Sequence, residues 1–113
     1  MSLSPELLRG SLDLMVLSVL AGGPKYGYLI QQQLKAGSGE LVNIQAGTLY
    51  PVLHRLEKDK YVKARWEQTT GRPRKWYELT AAGRRQLGKR AAAWQEYVDC
   101  VQMLLGPVLP QPS

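Results

Sequence analysis

A cluster of basic residues lies beside a glycine, between two segments in which polar and apolar residues alternate. The cluster contains Arg72, Arg74 and Lys75 next to Gly71, and Lys63 lies on the segment before it. Guanidinium and ammonium groups that project from a turn can pair with phosphates or enter the minor groove of a duplex. This chemistry indicates a nucleic acid as partner. The alternative is a solvated run of charge.

A second set of candidate residues belongs to the segment 45–59. Four aliphatic residues recur there at i, i+3, i+4 and i+7, which predicts an amphipathic helix. They are Leu49, Val52, Leu53 and Leu56. The polar residues outside this stripe are candidates for base or phosphate contacts. They are Gln45, Thr48, Tyr50, His54 and Arg55.

The side-chain types in this helix suit a DNA major groove. Gln45 can pair with adenine, and the methyl group of Thr48 can contact thymine. Tyr50 suits a hydrogen bond to phosphate through its hydroxyl. The alternative is an ordinary amphipathic surface helix that binds no DNA.

Three positions in this segment have competing interpretations. Asn43 and Thr48 are both candidate N-caps, and with Thr48 as the cap Pro51 falls in the first turn, where its missing N–H is tolerated. His54 is the only histidine. It suits a phosphate contact or plain exposure to solvent, rather than a metal or catalytic site.

The remaining elements are predicted from caps, periodicity and turn residues. Ser4-Pro5 begins a first helix that runs to about Ala21, and a second helix spans Tyr26 to Ala36. Alternating runs over 62–67 and 74–79 predict a hairpin, after which Thr80 caps a last helix. The order helix, helix, helix, hairpin, helix predicts a winged helix-turn-helix, mainly α with a small β-hairpin.

The last helix carries an a/d heptad pattern, which is typical of a helix that pairs with another helix. We therefore predict a DNA-binding domain at 1–80, a dimerisation helix at 81–106 and a frayed tail at 107–113. The first helix is apolar on several sides, which also favours contact with a second subunit. The predicted dimer interface contains Leu8, Leu12, Leu87, Ala91, Trp94, Val98, Val101 and Leu105. The alternative is that the seam packs against the first helix of its own chain.

Composition narrows the class of protein. The chain has 113 residues, 15 Lys+Arg against 9 Asp+Glu, a formal charge of +6 and a single cysteine, Cys100. No signal-peptide layout is evident, and the run Leu14–Leu17 is too short to span a membrane. No spacing typical of a catalytic triad, phosphate loop or metal site is present. We expect a cytoplasmic protein that is not an enzyme and needs no cofactor.

Four elements in order resemble the PadR family of bacterial transcriptional regulators. They are a Leu-rich first helix, Gly23–Tyr28, Gly47–Glu57 and Arg72–Gly83. The resemblance implies a homodimeric repressor that binds a palindromic operator in double-stranded DNA and is often released by a small molecule. It also implies that the start of the third helix and the wing supply most DNA contacts. The alternative function is a winged-helix module that binds proteins.

The last helix also resembles that of small multidrug-sensing members of this family. The shared residues are Ala92-Ala93-Trp94, with Val98 following. By this resemblance, Trp94 and Val98 form a site for a planar aromatic effector together with Ser11 and Met15 of the first helix. The alternative is that Trp94 simply fills space in the core.

Overall fold

The structure is a computed structural model that describes residues 10–68 and 71–110. Helices and strands follow each other in nearly the predicted order. They are α1 (Leu12–Leu20), β1 (Lys25–Tyr26), α2 (Gly27–Gly37), α3 (Ala46–Lys58), β2 (Val62–Glu67), β3 (Arg74–Leu79) and α4 (Ala81–Leu105), with a 3₁₀ turn at Gly106–Val108. The chain is a winged helix-turn-helix with a long C-terminal helix, as the sequence predicts. The start predicted for the first helix, at Ser4-Pro5, lies outside the described residues.

The core lies between the first three helices and the sheet. Its α3 contribution is the predicted aliphatic stripe, and Leu49, Leu53 and Leu56 are all fully buried. Each such side chain stabilises the fold by roughly 1.5–3 kcal/mol on burial. The stripe therefore fixes which side of α3 faces the core and which side is left for a partner.

The wing belongs to a sheet of three strands rather than to an isolated hairpin. The strand order is β1-β3-β2, and both pairings are antiparallel. Sequence periodicity did not predict β1, because two residues are too few to show alternation. Its Tyr26 packs edge-on against Trp76 of β3, with ring centroids 5.1 Å apart. The extra strand braces the base of the wing against the start of α2.

The start of α3 differs from the prediction. Gln45 occupies the N-cap position with an extended backbone and no side-chain cap bond, so neither Asn43 nor Thr48 is the cap. The carbonyl of Gln45 accepts the N–H of Thr48 at 3.0 Å. Pro51 consequently lies beyond the first turn, where it removes the hydrogen bond that would reach the carbonyl of Gly47. Thr48 is exposed, and its hydroxyl is free of a capping role.

The beginning of α4 is fixed to the wing. The predicted cap is confirmed, since Thr80 Oγ1 accepts the N–H of Gly83 at 3.0 Å. Gly83 lies against the carbonyl oxygen of Tyr61 so closely that any Cβ there would collide with it. One turn later Leu87 packs on the core. We call residues 12–68 and 71–87 the winged unit.

Beyond the winged unit, α4 projects from the body of the protein. This part, residues 91–105, is called the α4 extension, and it makes the molecule 57 Å long against 30 and 22 Å in the other directions. A 3₁₀ turn at Gly106–Val108 follows α4, and Leu109 N–H donates to the carbonyl of Leu105. The end of the predicted tail lies outside the described residues.

Candidate nucleic-acid interface

A groove of about 880 Å³ separates helix α3 from the wing. We call it the wing groove. It is lined by Tyr26, Gly27, Tyr28, Tyr50, His54, Trp66, Arg72, Pro73, Arg74, Lys75 and Tyr77. This lining combines aromatic rings with basic groups. Among the described residues, it contains no carboxylate. Such a lining suits a polyanion that also offers flat or apolar surface.

The floor of the groove depends on a glycine. Gly27 begins α2 directly after β1, and the Tyr50 hydroxyl lies where a Cβ on Gly27 would stand. The absence of a side chain at Gly27 therefore admits the Tyr50 ring between the two helices. This contact leaves Tyr50 partly exposed at the start of α3, with its hydroxyl beside the N-terminus of α2.

Tyr77 lies deeper in the groove, where its side chain is a neutral phenol. It is almost fully buried on β3. Burial raises the pKa of Tyr77 to about 12, and the charges of Tyr50 and Glu57 act in the same direction. The floor therefore stays uncharged across the physiological pH range, and the positive charge of the groove comes from the wing.

Two basic side chains of the wing are held in place by neighbours. Lys75 Nζ lies 3.7 Å from Glu57 Oε1 on α3, which ties the wing to that helix. The Arg74 guanidinium lies 4.6 Å above the centre of the Tyr26 ring, a cation–π geometry. Arg72 follows Gly71, whose positive φ of 103° makes the turn. Among the described residues, Arg72 has no ion-pair partner, so its charge is available to a ligand.

The groove brings together five of the nine predicted DNA-contacting residues. These are Tyr50, His54, Arg72, Arg74 and Lys75. Gln45 and Thr48 are exposed near the start of α3 but do not line the groove.

Lys63 does not line the wing groove. In the strand register it pairs with Glu78, on the opposite face of the wing from Trp66 and Lys75. Its Nζ lies 3.5 Å from Glu78 Oε1. The alternation of side chains along a strand turns Lys63 away from the groove.

Arg55 lies on the wrong side of α3 for a contact in the groove. Its guanidinium donates to both carboxylate oxygens of Asp13 on α1, and Arg90 Nη1 of α4 lies 3.5 Å from the same carboxylate. The hydrogen bond that Arg55 donates to Asp13, together with the charge of that carboxylate, raises the pKa of Arg55. One residue of helix is a rotation of about 100°, so His54 and Arg55 face different neighbours. Arg55 joins α3 to α1 instead.

A second hollow of about 640 Å³ adjoins this charge cluster. It contains Trp94 and Ser11, two of the four residues predicted for an effector site. The other two, Met15 and Val98, do not line it, and Met15 packs against the core instead. The remaining lining is Gly10, Asp13, Leu14, Arg55, Arg90, Ala93 and Tyr97. In the single chain, the hollow is open and more polar than the sequence predicts.

The predicted dimer interface divides into covered and uncovered residues. Leu12 is only 8% exposed and belongs to the core, so it is not available to a second subunit, and Leu8 lies outside the described residues. Leu87 packs partly on the core, as the alternative interpretation predicts. Along the α4 extension, Ala91, Trp94 and Leu105 are exposed, and Val98 and Val101 are partly covered.

Two exposed aromatic residues of the wing groove were not among the predicted site residues. Tyr28 is 62% exposed at the start of α2, and Trp66 is 60% exposed on β2. Alternation placed Trp66 on the same face as Val62, which is buried, and a tryptophan on that face is expected in the core. Gly71 indicates that Trp66 lies near the turn of the hairpin. Residues close to such a turn lie beyond the core, so their side chains are exposed.

Known proteins that resemble this chain share its fold. A family model, the transcriptional regulator PadR-like family, matches residues 16–89. A transcriptional regulator of Mycobacterium tuberculosis is 34% identical over 91 residues, which cover 80% of this chain and 82% of that protein. The solved structure of a PadR family transcriptional regulator from Eggerthella lenta has a TM-score of 0.79 and 39% identity, covering 88% of this chain and 86% of that chain.

A further solved structure matches the fold of this chain at a lower sequence identity. The structure of a transcriptional regulator from Clostridium thermocellum has a TM-score of 0.82 and 30% identity, and the match covers 89% of this chain and 96% of that chain. The long last helix is thus included in the likeness. Among the described residues, no helix has the length and apolar character needed to cross a membrane.

Proposed function

Because the chain belongs to the PadR-like family of transcriptional regulators, we propose that it represses transcription as a homodimer on a palindromic operator. It is a DNA-binding regulator and not an enzyme. The observation that carries the proposal is the wing groove, in which three basic side chains of the wing face Tyr50 and His54 of α3, and Arg72 has no ion-pair partner among the described residues. The site of action proposed for such a protein is the cytoplasm.

The start of α3, outside the wing groove, and the wing suit two parts of a duplex. The start of α3 presents Gln45 and Thr48 without any capping duty for Thr48, so both can contact base edges in the major groove. Arg72 and Arg74 extend from the wing, where they can bind the phosphate backbone. Since Lys63 and Arg55 are engaged elsewhere, the contacts come from fewer cations than the sequence predicts.

Pairing through the α4 extension supplies the second half of the interface. A single winged helix reads one half-site, and two copies related by a twofold axis read a palindrome. The heptad positions from Ala91 to Leu105 are the surface that supports this pairing. They include the exposed Trp94 and Leu105.

An effector site is a further part of the proposal. Trp94 lies in the open hollow beside Ser11, and pairing of two α4 extensions would cover it with a second subunit. A planar aromatic compound stacked on Trp94 would then lie between the subunits. Its binding would change their relative orientation and release the DNA.

DNA binding is tested with duplexes of about 30 base pairs selected from a random library, long enough for two half-sites one helical turn apart. The double variant Arg72→Ala/Arg74→Ala is expected to weaken binding and to lower the salt slope by about 0.9 for each phosphate that is no longer neutralised. The control is Arg84→Ala/Arg85→Ala, which removes the same charge from exposed positions on α4. An unchanged affinity and slope in the wing variant would contradict the DNA assignment of the wing. Failure of the wild type to bind any duplex would favour the protein-binding module.

The oligomeric state is tested by sedimentation at micromolar concentration. We expect a dimer for the wild type and for Gln102→Glu, which adds a charge outside the heptad seam. Leu105→Glu buries a charge in the seam and is expected to give monomers. A monomeric wild type would contradict the dimer.

The effector site is tested through fluorescence. Planar aromatic compounds are expected to quench Trp94 with a saturable dependence on concentration, and Trp94→Ala should abolish that binding. An unchanged ligand affinity in Trp94→Ala would remove the effector from the proposal without affecting the DNA-binding test.

A further inference from the structure

The indole of Trp66 lies at the mouth of the wing groove, where little of it contributes to packing. Three residues of β2 face the same side of the wing, and from Val62 through Ala64 to Trp66 they become steadily more exposed. Trp66 lies opposite Lys75 in the register. Since an indole in water forfeits most of the free energy gained on burial, the 60% exposure of this side chain is better explained by a partner than by the fold.

The surroundings of Trp66 indicate what that partner is. Arg72, Arg74 and Lys75 lie along the same groove, and Tyr28 presents a second exposed ring. The backbone of DNA alternates phosphates, which bind cations, with deoxyribose rings, whose carbons pack against apolar surfaces. A groove that offers both kinds of group, with no carboxylate among its described lining residues, matches this alternation.

We propose that Trp66 is a DNA-contacting residue, whose indole packs against the deoxyribose-phosphate backbone beside the phosphate bound by Arg72. The proposal rests on the function proposed above for the wing groove. The indole plane supplies apolar contact with sugar carbons, and its Nε1–H can donate to a phosphate oxygen. Such a contact stabilises the position of the duplex without reading its sequence.

An uncharged contact can be separated from a charged one by its salt dependence. We expect Trp66→Ala to weaken binding to the selected duplex about tenfold, which corresponds to about 1.4 kcal/mol, with the salt slope unchanged. Arg72→Ala is expected to lower that slope by about 0.9. The weakening in Trp66→Ala should be the same for an unrelated duplex, since the contact is to the backbone.

Trp66→Phe keeps a ring but removes the N–H donor, so it is expected to weaken binding less than Trp66→Ala. The matched control is Trp76→Phe, which makes the same replacement at an indole that does not line the wing groove and whose buried Nε1 has no hydrogen-bond partner among the described residues. We expect wild-type DNA affinity for this control. A loss of DNA affinity in Trp76→Phe as large as in Trp66→Phe would overturn the assignment to the groove.

A direct measurement covers the case in which Trp66→Ala fails to fold. In Trp76→Phe/Trp94→Phe the only remaining indole is Trp66, and iodide is expected to quench it freely without DNA and much less with DNA. Equal quenching in both conditions would overturn the proposal and leave the DNA-binding function standing. A folded Trp66→Ala variant with wild-type DNA affinity would do the same. A wild type that binds no duplex would overturn both.

Discussion

The winged unit and the α4 extension both contain many apolar residues but bury them very differently. In the winged unit, aliphatic side chains from three helices and the sheet form a continuous core. In the α4 extension, Met103 and Leu104 are each 76% exposed. Within the described residues, the only fully buried residue of α4 is Gly83. The winged unit is completed by its own chain, whereas the extension has the surface of a helix that lacks its partner.

Because of this difference, the stability of the two regions should depend differently on protein concentration. The stability of the winged unit depends on local packing, so it should be independent of protein concentration. In the proposed dimer the order of the extension depends on pairing, so it should follow mass action. Substitutions in the two regions can therefore be distinguished by how their effects change with concentration.

The largest expected effect comes from truncating the core. Leu53→Ala removes a fully buried side chain, and we expect it to lower the free energy of unfolding by about 2–5 kcal/mol. Chemical denaturation should show this loss at every protein concentration. The control is Leu105→Ala, at an exposed heptad position, whose loss should be small and should appear only through concentration dependence. A concentration-independent loss of similar size in Leu105→Ala would remove the contrast between the regions.

The junction between the regions provides a smaller effect with a matched control. Gly83→Ala would drive its Cβ into the carbonyl of Tyr61, and we expect a loss of about 1–3 kcal/mol from overpacking. Gly88→Ala changes the same residue in the same helix, but its Cβ would meet open space. Alanine is the better helix former by about 1 kcal/mol, so Gly88→Ala should raise the melting temperature. The hypothesis of a rigid junction fails if Gly83→Ala is also stabilising.

The smallest expected effect concerns the ion cluster that joins α1, α3 and α4. Asp13→Asn leaves Arg55 and Arg90 without a carboxylate partner. Because Arg55 is largely exposed, we expect a loss of no more than about 1 kcal/mol. The loss should shrink in high salt, whereas that of Leu53→Ala should not. A salt-independent loss would mean that Asp13 acts through packing rather than charge.

The sequence predicted the parts of the fold that depend on periodicity and caps. The α3 stripe and the hairpin follow from spacing, and Thr80 was identified because a threonine before a helix of small residues is a strong cap. The strand β1 was missed, because Lys25 and Tyr26 become a strand only through pairing with β3. The start of α3 was placed wrongly, since Gln45 takes the cap position through backbone geometry that its side chain does not reveal.

The candidate site was predicted in part, for a geometric reason. A helical pattern shows which residues avoid the core, but it does not show which neighbour each of them meets. Tyr50 and His54 face the wing, whereas Arg55 turns to Asp13, 42 residues earlier in the chain. Lys63 lies outside the groove because the register of the strands places it on the opposite face of the wing. Trp66 was missed because its residue type favours a core position.

The length of α4 has a mechanical consequence for a regulator built this way. A helix of 25 residues is about 37 Å long, and its first turn is anchored to the wing through Thr80 and Gly83. In the proposed dimer, it acts as a lever whose pivot is the heptad seam. The middle of the seam lies about 25 Å from the first turn of α4, so a rotation of about 10° there would displace that turn by about 4 Å. Small changes between the subunits would then suffice to move two recognition helices out of phase with the DNA.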